Sequence, residues 1–87
     1  MLNNINIKSV KVKTGDLLKL LRKRAGVTQE QLGEQLGLSR ITIQNIESGK
    51  NATMDTLLKV LQHWDMLGSF YGYVEQEIYN NSHESLY

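Results

Sequence analysis

From Thr14 to Trp64, apolar residues recur at three- and four-residue steps inside short segments, each preceded by a hydroxyl residue. This is the periodicity of amphipathic helices, with the hydroxyl placed to accept hydrogen bonds from the first unpaired backbone N–H groups. Leu17, Leu18, Leu20 and Leu21 predict a first helix over 15–25, opened by Thr14 and closed by Gly26. Arg22, Lys23 and Arg24 fall in its last turn, where cations favour the helix dipole. A second helix is predicted over 29–36: Thr28 and Gln31 fit a capping box, Val27 and Leu32 a hydrophobic staple, and Gly37 a stop. Ser39, flanked by a second staple of Leu38 and Ile43, opens a third helix over 40–47. After the loop Ser48-Gly49-Lys50-Asn51, Thr53 opens a fourth helix whose Met54, Leu57, Leu58 and Leu61 form one apolar face, closed by Trp64.

The two ends are patterned less regularly. Leu67, Tyr71, Val74 and Ile78 have helical spacing and predict a fifth helix over 66–79, weakened by Gly68 and Gly72, with a frayed tail over 80–87. Ile5, Ile7, Val10 and Val12 are β-prone, but their alternation breaks parity between Ile7 and Val10. A bulged strand or a loose arm over 1–13 is therefore expected. The fold class is all-α: about five helices in one bundle over 14–79, with an arm before it and a tail after it.

A chain of this size buries only about 60% of its unfolded surface, so function is expected on the surface of one compact unit or at a dimer interface. With no cysteine, a disulfide framework, a zinc-thiolate site and a thiol nucleophile are excluded. The longest apolar runs fall far short of the roughly 20 residues of a membrane span, and 1–13 lacks a secretory apolar region, which predicts a soluble cytoplasmic protein. A net charge of +1 conceals a strong segregation. Residues 1–50 hold nine of the ten Lys and Arg against four acids, whereas 51–87 hold Lys59 alone against five. One face meeting a polyanion produces such a split, and so does a merely solvated surface.

The central constellation is the pair of short helices joined at Gly37 to Ser39. Helices crossing so closely need a very small residue at the contact (Gly33), a residue able to turn sharply (Gly37), and apolar anchors. Leu32, Leu36, Leu38, Ile43 and Ile46 supply the anchors. With Thr28-Gln29-Glu30-Gln31-Leu32, Leu36-Gly37-Leu38-Ser39 and Ile46-Glu47-Ser48-Gly49-Lys50 in place, residues 14–63 resemble the lambda-repressor-like, or XRE, family of bacterial helix-turn-helix regulators. Two departures stand out: Gly33 occupies a position where that family usually has alanine, and no proline follows Gly49-Lys50.

The resemblance implies a third helix lying in the DNA major groove with its N-terminal residues on base edges. Carried over position by position, Arg40, Ile41, Gln44 and Asn45 are the base-contacting candidates, because Ile43 and Ile46 point the other way. Their chemistry suits the role. Arg40 fits guanine O6 and N7, Gln44 or Asn45 fits adenine N6 and N7, and Ile41 covers a thymine methyl. Phosphate contacts are expected from Thr28 and Gln29 at the second helix N-terminus, from the Ser39 and Thr42 hydroxyls, and from Lys50 and Asn51 beyond the third helix. Lys8, Lys11 and Lys13 read as a basic arm or as solvated charge. Glu47 resembles a family residue that bonds inside the domain.

No catalytic or metal-ligating set is expected, and no cofactor: the chain offers only His63 and His83, neither near a carboxylate or nucleophile pattern. The acidic segment after Asp65 carries more apolar and aromatic surface than one exposed helix should. Leu67, Phe70, Tyr71, Val74 and Ile78 are the interface candidates, covered by the domain's own core, by a second copy or by another protein. A homodimer on a pseudo-palindromic operator is the default for helix-turn-helix proteins. Short members with a brief tail are also similar to HipB-type antitoxins, which repress their own operon and hold a kinase-like (HipA-like) toxin. A helix-turn-helix that has lost base reading and serves only as a protein-interaction module is the alternative.

Overall fold

The computed structural model describes residues 5–84 and consists, among them, of five helices joined by short turns. They are α1 (Ile7–Ala25), α2 (Gln29–Leu36), α3 (Arg40–Glu47), α4 (Met54–His63) and α5 (Leu67–Glu84). The all-α class and the limits of α2 and α3 are as the sequence pattern predicts. Their caps explain why: Thr28 Oγ1 accepts from the Gln31 amide at 3.0 Å, and Ser39 Oγ accepts from the Thr42 amide at 3.0 Å. Gly37 ends α2 at φ 70°, in the left-handed region where a Cβ is penalised, and the Leu38 amide closes onto the Gly33 carbonyl at 2.8 Å.

Both outer helices are longer than expected. Residues 7–13, expected as a bulged strand or loose arm, form the first two turns of α1, and Thr14 lies inside the helix instead of capping it. The start is fixed by Asn6, whose side chain accepts from the Ser9 amide at 2.8 Å while Ser9 Oγ accepts from the Asn6 amide at 2.8 Å. The break in parity between Ile7 and Val10 is thus the i, i+3 step of a helix. At the other end α5 continues through 80–84, where a frayed tail was expected. The remainder of that tail and residues 1–4 of the expected arm lie outside the described residues.

The core sits where α1, α3 and α4 meet. Leu18, Ile46 and Val60 form it, with Leu36 of α2 and the α4–α5 turn residues Trp64 and Met66 packed against them. The crossing of α1 over α3 is close because Gly15 stands at it. A Cβ at that position would lie 2.6 Å from the Ile46 carbonyl oxygen and 2.7 Å from that of Glu47. Backbone atoms cannot swing aside as a side-chain tip can, so Gly15→Ala is expected to destabilise by about 1–3 kcal/mol, outweighing the helix propensity gained. A lower urea midpoint at unchanged m-value is the readout; an unchanged midpoint would show that α1 and α3 separate freely.

α5 departs from this compact arrangement. It packs against α4, yet every residue from Gly68 to Ser82 is exposed. The radius of gyration is 15.4 Å, against about 12 Å for a compact domain of this length. An 18-residue helix is about 27 Å long, and the longest extent of the molecule is 51 Å.

Candidate nucleic-acid interface

α3 is divided into two faces by its own sequence. Ile43 and Ile46 are buried at 2% and 6% exposure, and with Glu47 they fix the helix to the domain. A helix advances 100° per residue, which turns Arg40, Ile41 and Gln44 outward; all three are exposed. Asn45 is half-buried, at the edge of that face. Arg40 Nη1 donates to Gln44 Oε1 at 3.2 Å, one turn along, so two of the residues singled out for base contact share one solvated cluster. Ile41, 52% exposed, presents an apolar surface beside it.

The flanking groups are more committed to the fold than their polarity suggests. Ser39 and Thr42 share a hydroxyl-hydroxyl hydrogen bond of 2.9 Å at the start of α3. Thr28 caps α2, and its amide donates to Gln31 Oε1 at 2.9 Å. Gln29 Nε2 donates to Glu47 Oε1 at 3.0 Å, so this amide nitrogen is held inside the domain; of the N–H groups at the α2 N-terminus, those of Thr28 and Gln31 are taken by the capping box. Lys50 and Asn51 are both exposed. The Lys50 amide closes onto the Asn45 carbonyl at 2.9 Å, which anchors the loop to the end of α3, and Asn51 Oδ1 accepts from Lys11 Nζ.

Behind α3 lies a network whose membership sequence pattern alone does not give. Arg22, placed among the dipole-favouring cations of α1, is 8% exposed. Its Nε donates to Glu47 Oε2 at 2.6 Å, Nη2 to Glu47 Oε1 at 3.1 Å, and Nη1 to the Val27 carbonyl at 2.8 Å. Glu47 therefore bonds inside the domain. One bidentate pair ties α1 to the end of α3, while Gln29 ties α2 to the same carboxylate, so the orientation of α3 is held from two sides.

Among the described residues, no group of three or more His, Cys, Asp or Glu is arranged to hold a metal ion. His63 packs edge-to-face on Trp64 with centroids 4.7 Å apart, at the end of α4. No helix is long and apolar enough to cross a membrane among those residues.

Comparison with known proteins covers the same segment. Residues 18–63, just over half of the chain, match the family model described as Helix-turn-helix. Over 50 residues the chain is 36% identical to Antitoxin HipB of Escherichia coli strain K12, covering 56% of this chain and 57% of that protein. Antitoxin HipB of Escherichia coli O6:H1 is 34% identical over 50 residues, with 56% and 53% covered. A Methanoregula boonei protein, provisionally named as an HTH-type transcriptional regulatory protein, is 35% identical over 51 residues, 59% of this chain but 16% of its own length. The chain thus spans little more than half the length of these two HipB proteins and far less of the Methanoregula boonei protein. The α2–turn–α3 geometry, the motifs that carry it and the matched model agree: the chain belongs to the helix-turn-helix family, of the XRE type.

Proposed function

We propose that this chain is a sequence-specific double-stranded DNA-binding transcriptional regulator, a repressor that occupies a palindromic operator as a homodimer. The observation that carries the reading is the outward face of α3: Arg40, Ile41 and Gln44 exposed over a buried Ile43 and Ile46. In this reading α3 enters the major groove, and Arg40, Ile41, Gln44 and Asn45 meet base edges. Thr28, Gln29, Ser39 and Thr42 meet one stretch of phosphates, Gln29 through its backbone N–H, and Lys50 and Asn51 grip the flanking backbone. α5 is the dimerisation helix, through Leu67, Phe70, Tyr71, Val74 and Ile78. The protein acts in the bacterial cytoplasm, on the nucleoid, and no catalytic step is assigned to it.

Two substitutions separate reading from gripping. Arg40→Ala should cost about 1–3 kcal/mol of operator affinity and relax preference at one base pair. Lys50→Ala should weaken all sequences alike and lower the slope of log affinity against log salt by about one. Operator preference unchanged by Arg40→Ala would mean that the register of α3 in the groove is misassigned. Selection of bound fragments from a random DNA pool tests the whole reading: a palindromic consensus supports it, and no enrichment leaves α2 and α3 as a protein-interaction module.

The similarity to two HipB antitoxins favours a second, compatible reading. Here the protein autoregulates its operon and neutralises a HipA-like kinase toxin. Co-expression with the neighbouring gene product tests it, since separate elution of the two proteins removes the antitoxin role.

A further inference from the structure

Helix α5 carries its apolar side chains in one stripe. At 100° per residue Leu67, Phe70, Tyr71, Val74 and Ile78 fall within about a third of its circumference, with Glu75 on one side of the stripe and Glu77 on the other. Among the described residues nothing covers the stripe beyond Leu67: Tyr71 is 65% and Ile78 60% exposed. No Lys or Arg follows Lys59 in the sequence, so the helix presents glutamates alone as its charges beside the stripe.

A surface of the opposite character lies on the same molecule. Between the first turns of α1 and the start of α4 runs an apolar groove of about 310 Å³, with Val10, Thr14 and Ile46 facing Met54 and Leu57. Val10 and Met54 are left 52% and 67% exposed. Lys11 and Lys50 stand on its rim, and Lys13 lines the adjoining groove that shares Val10 and Thr14. The first two turns of α1 contain three lysines and no acid. Val10, Lys11 and Lys13 belong to the part of α1 that extends before Thr14.

The geometry points to an exchanged dimer, in which the acidic aromatic stripe of α5 from one copy lies in the lysine-rimmed α1/α4 groove of a second copy, and the reverse. This rests on the homodimer reading above and names the acceptor surface for α5. Charge decides against the simpler alternative of α5 packed on α5. That arrangement sets Glu75 and Glu77 of two copies along one seam with no Lys or Arg on either helix, whereas the groove and its neighbour are lined by Lys11 and Lys13. The two-fold arrangement also forms the contact twice, burying both stripes and both grooves in one closed pair.

The test is a charge exchange read by light scattering after size exclusion, across a dilution series, with helicity by circular dichroism confirming that each variant is folded. The unaltered chain should elute at twice its 9.9 kDa mass. Glu75→Lys/Glu77→Lys and Lys11→Glu/Lys13→Glu should each elute as monomers at low salt. Mixed one to one, the two variants should recover a dimer containing one of each, because every stripe then meets a groove of opposite sign. A dimer that persists in the Lys11→Glu/Lys13→Glu variant overturns the exchanged arrangement while leaving the homodimer reading intact. An unaltered chain that stays monomeric at every concentration overturns both.

Discussion

Glu47→Ala is expected to destabilise the domain by about 3–5 kcal/mol, because it leaves a buried cation without its counter-charge. The Arg22 and Glu47 side chains are 10% and 4% exposed and meet at 2.6 Å. Without the carboxylate, the Arg22 guanidinium keeps only the Val27 carbonyl, and the Gln29 amide nitrogen loses its acceptor in the same step. A domain of this length holds about 4–13 kcal/mol in total, so the single change consumes much of it. At about 4–8 °C per kcal/mol, the fall is large enough to read directly in a thermal melt. The double replacement Arg22→Met/Glu47→Leu separates charge burial from packing. Removing both charges should recover most of the loss, since an apolar pair of similar volume carries no desolvation cost. If the double variant melts no higher than Glu47→Ala, the cost lies in lost packing and not in the stranded guanidinium.

That pair also marks the boundary of what sequence pattern reveals. Thr28, Ser39 and Thr53 announce their helices because a cap acts within three residues, and the structure has the three N-terminal bonds in place. The faces of α3 were legible for the same reason: Ile43 and Ile46 lie three apart, and burial of one side exposes the other. Arg22 and Glu47 are 25 residues apart, so no local periodicity links them; resemblance pointed Glu47 inward but did not identify its partner. Asn6 and Ser9 were a local signal of equal quality to Thr28 and Gln31, but the β-branched Ile7, Val10 and Val12 weighed towards a strand. Here the cap and the three-residue step outweighed β propensity. In the candidate interface, the outward turn of Arg40 and Gln44 was legible, whereas the Gln29–Glu47 bond depends on how α2 crosses α3. For α5 the pattern identifies an apolar stripe but not what covers it, because periodicity carries no information about a second molecule.

Leu18→Ala is the other change expected to act strongly, at about 2–5 kcal/mol. Leu18 is 2% exposed and touches neither solvent nor the outer face of α3, but it packs with Ile46 and Val60 where three helices converge. Removing its branch leaves a cavity that the crossing cannot collapse to fill: Gly15, one turn earlier, already brings α1 onto the α3 backbone. Leu20, 57% exposed on the same helix, is the matched control, and Leu20→Ala should stay within about 0.5 kcal/mol. The comparison also distinguishes loss of fold from loss of reading. A ligand that binds only the folded state raises its stability by mass action, so operator DNA should raise the melting temperature of Leu18→Ala from its lowered baseline. Arg40→Ala should show the reverse: an ordinary melt without DNA, because Arg40 supports nothing in the core, and a reduced gain when the operator is added. Equal gains for Arg40→Ala and the unaltered protein would remove Arg40 from the proposed base-reading face, whatever its exposure, while the dependence of the α3 outer face on Leu18 beneath it would still stand.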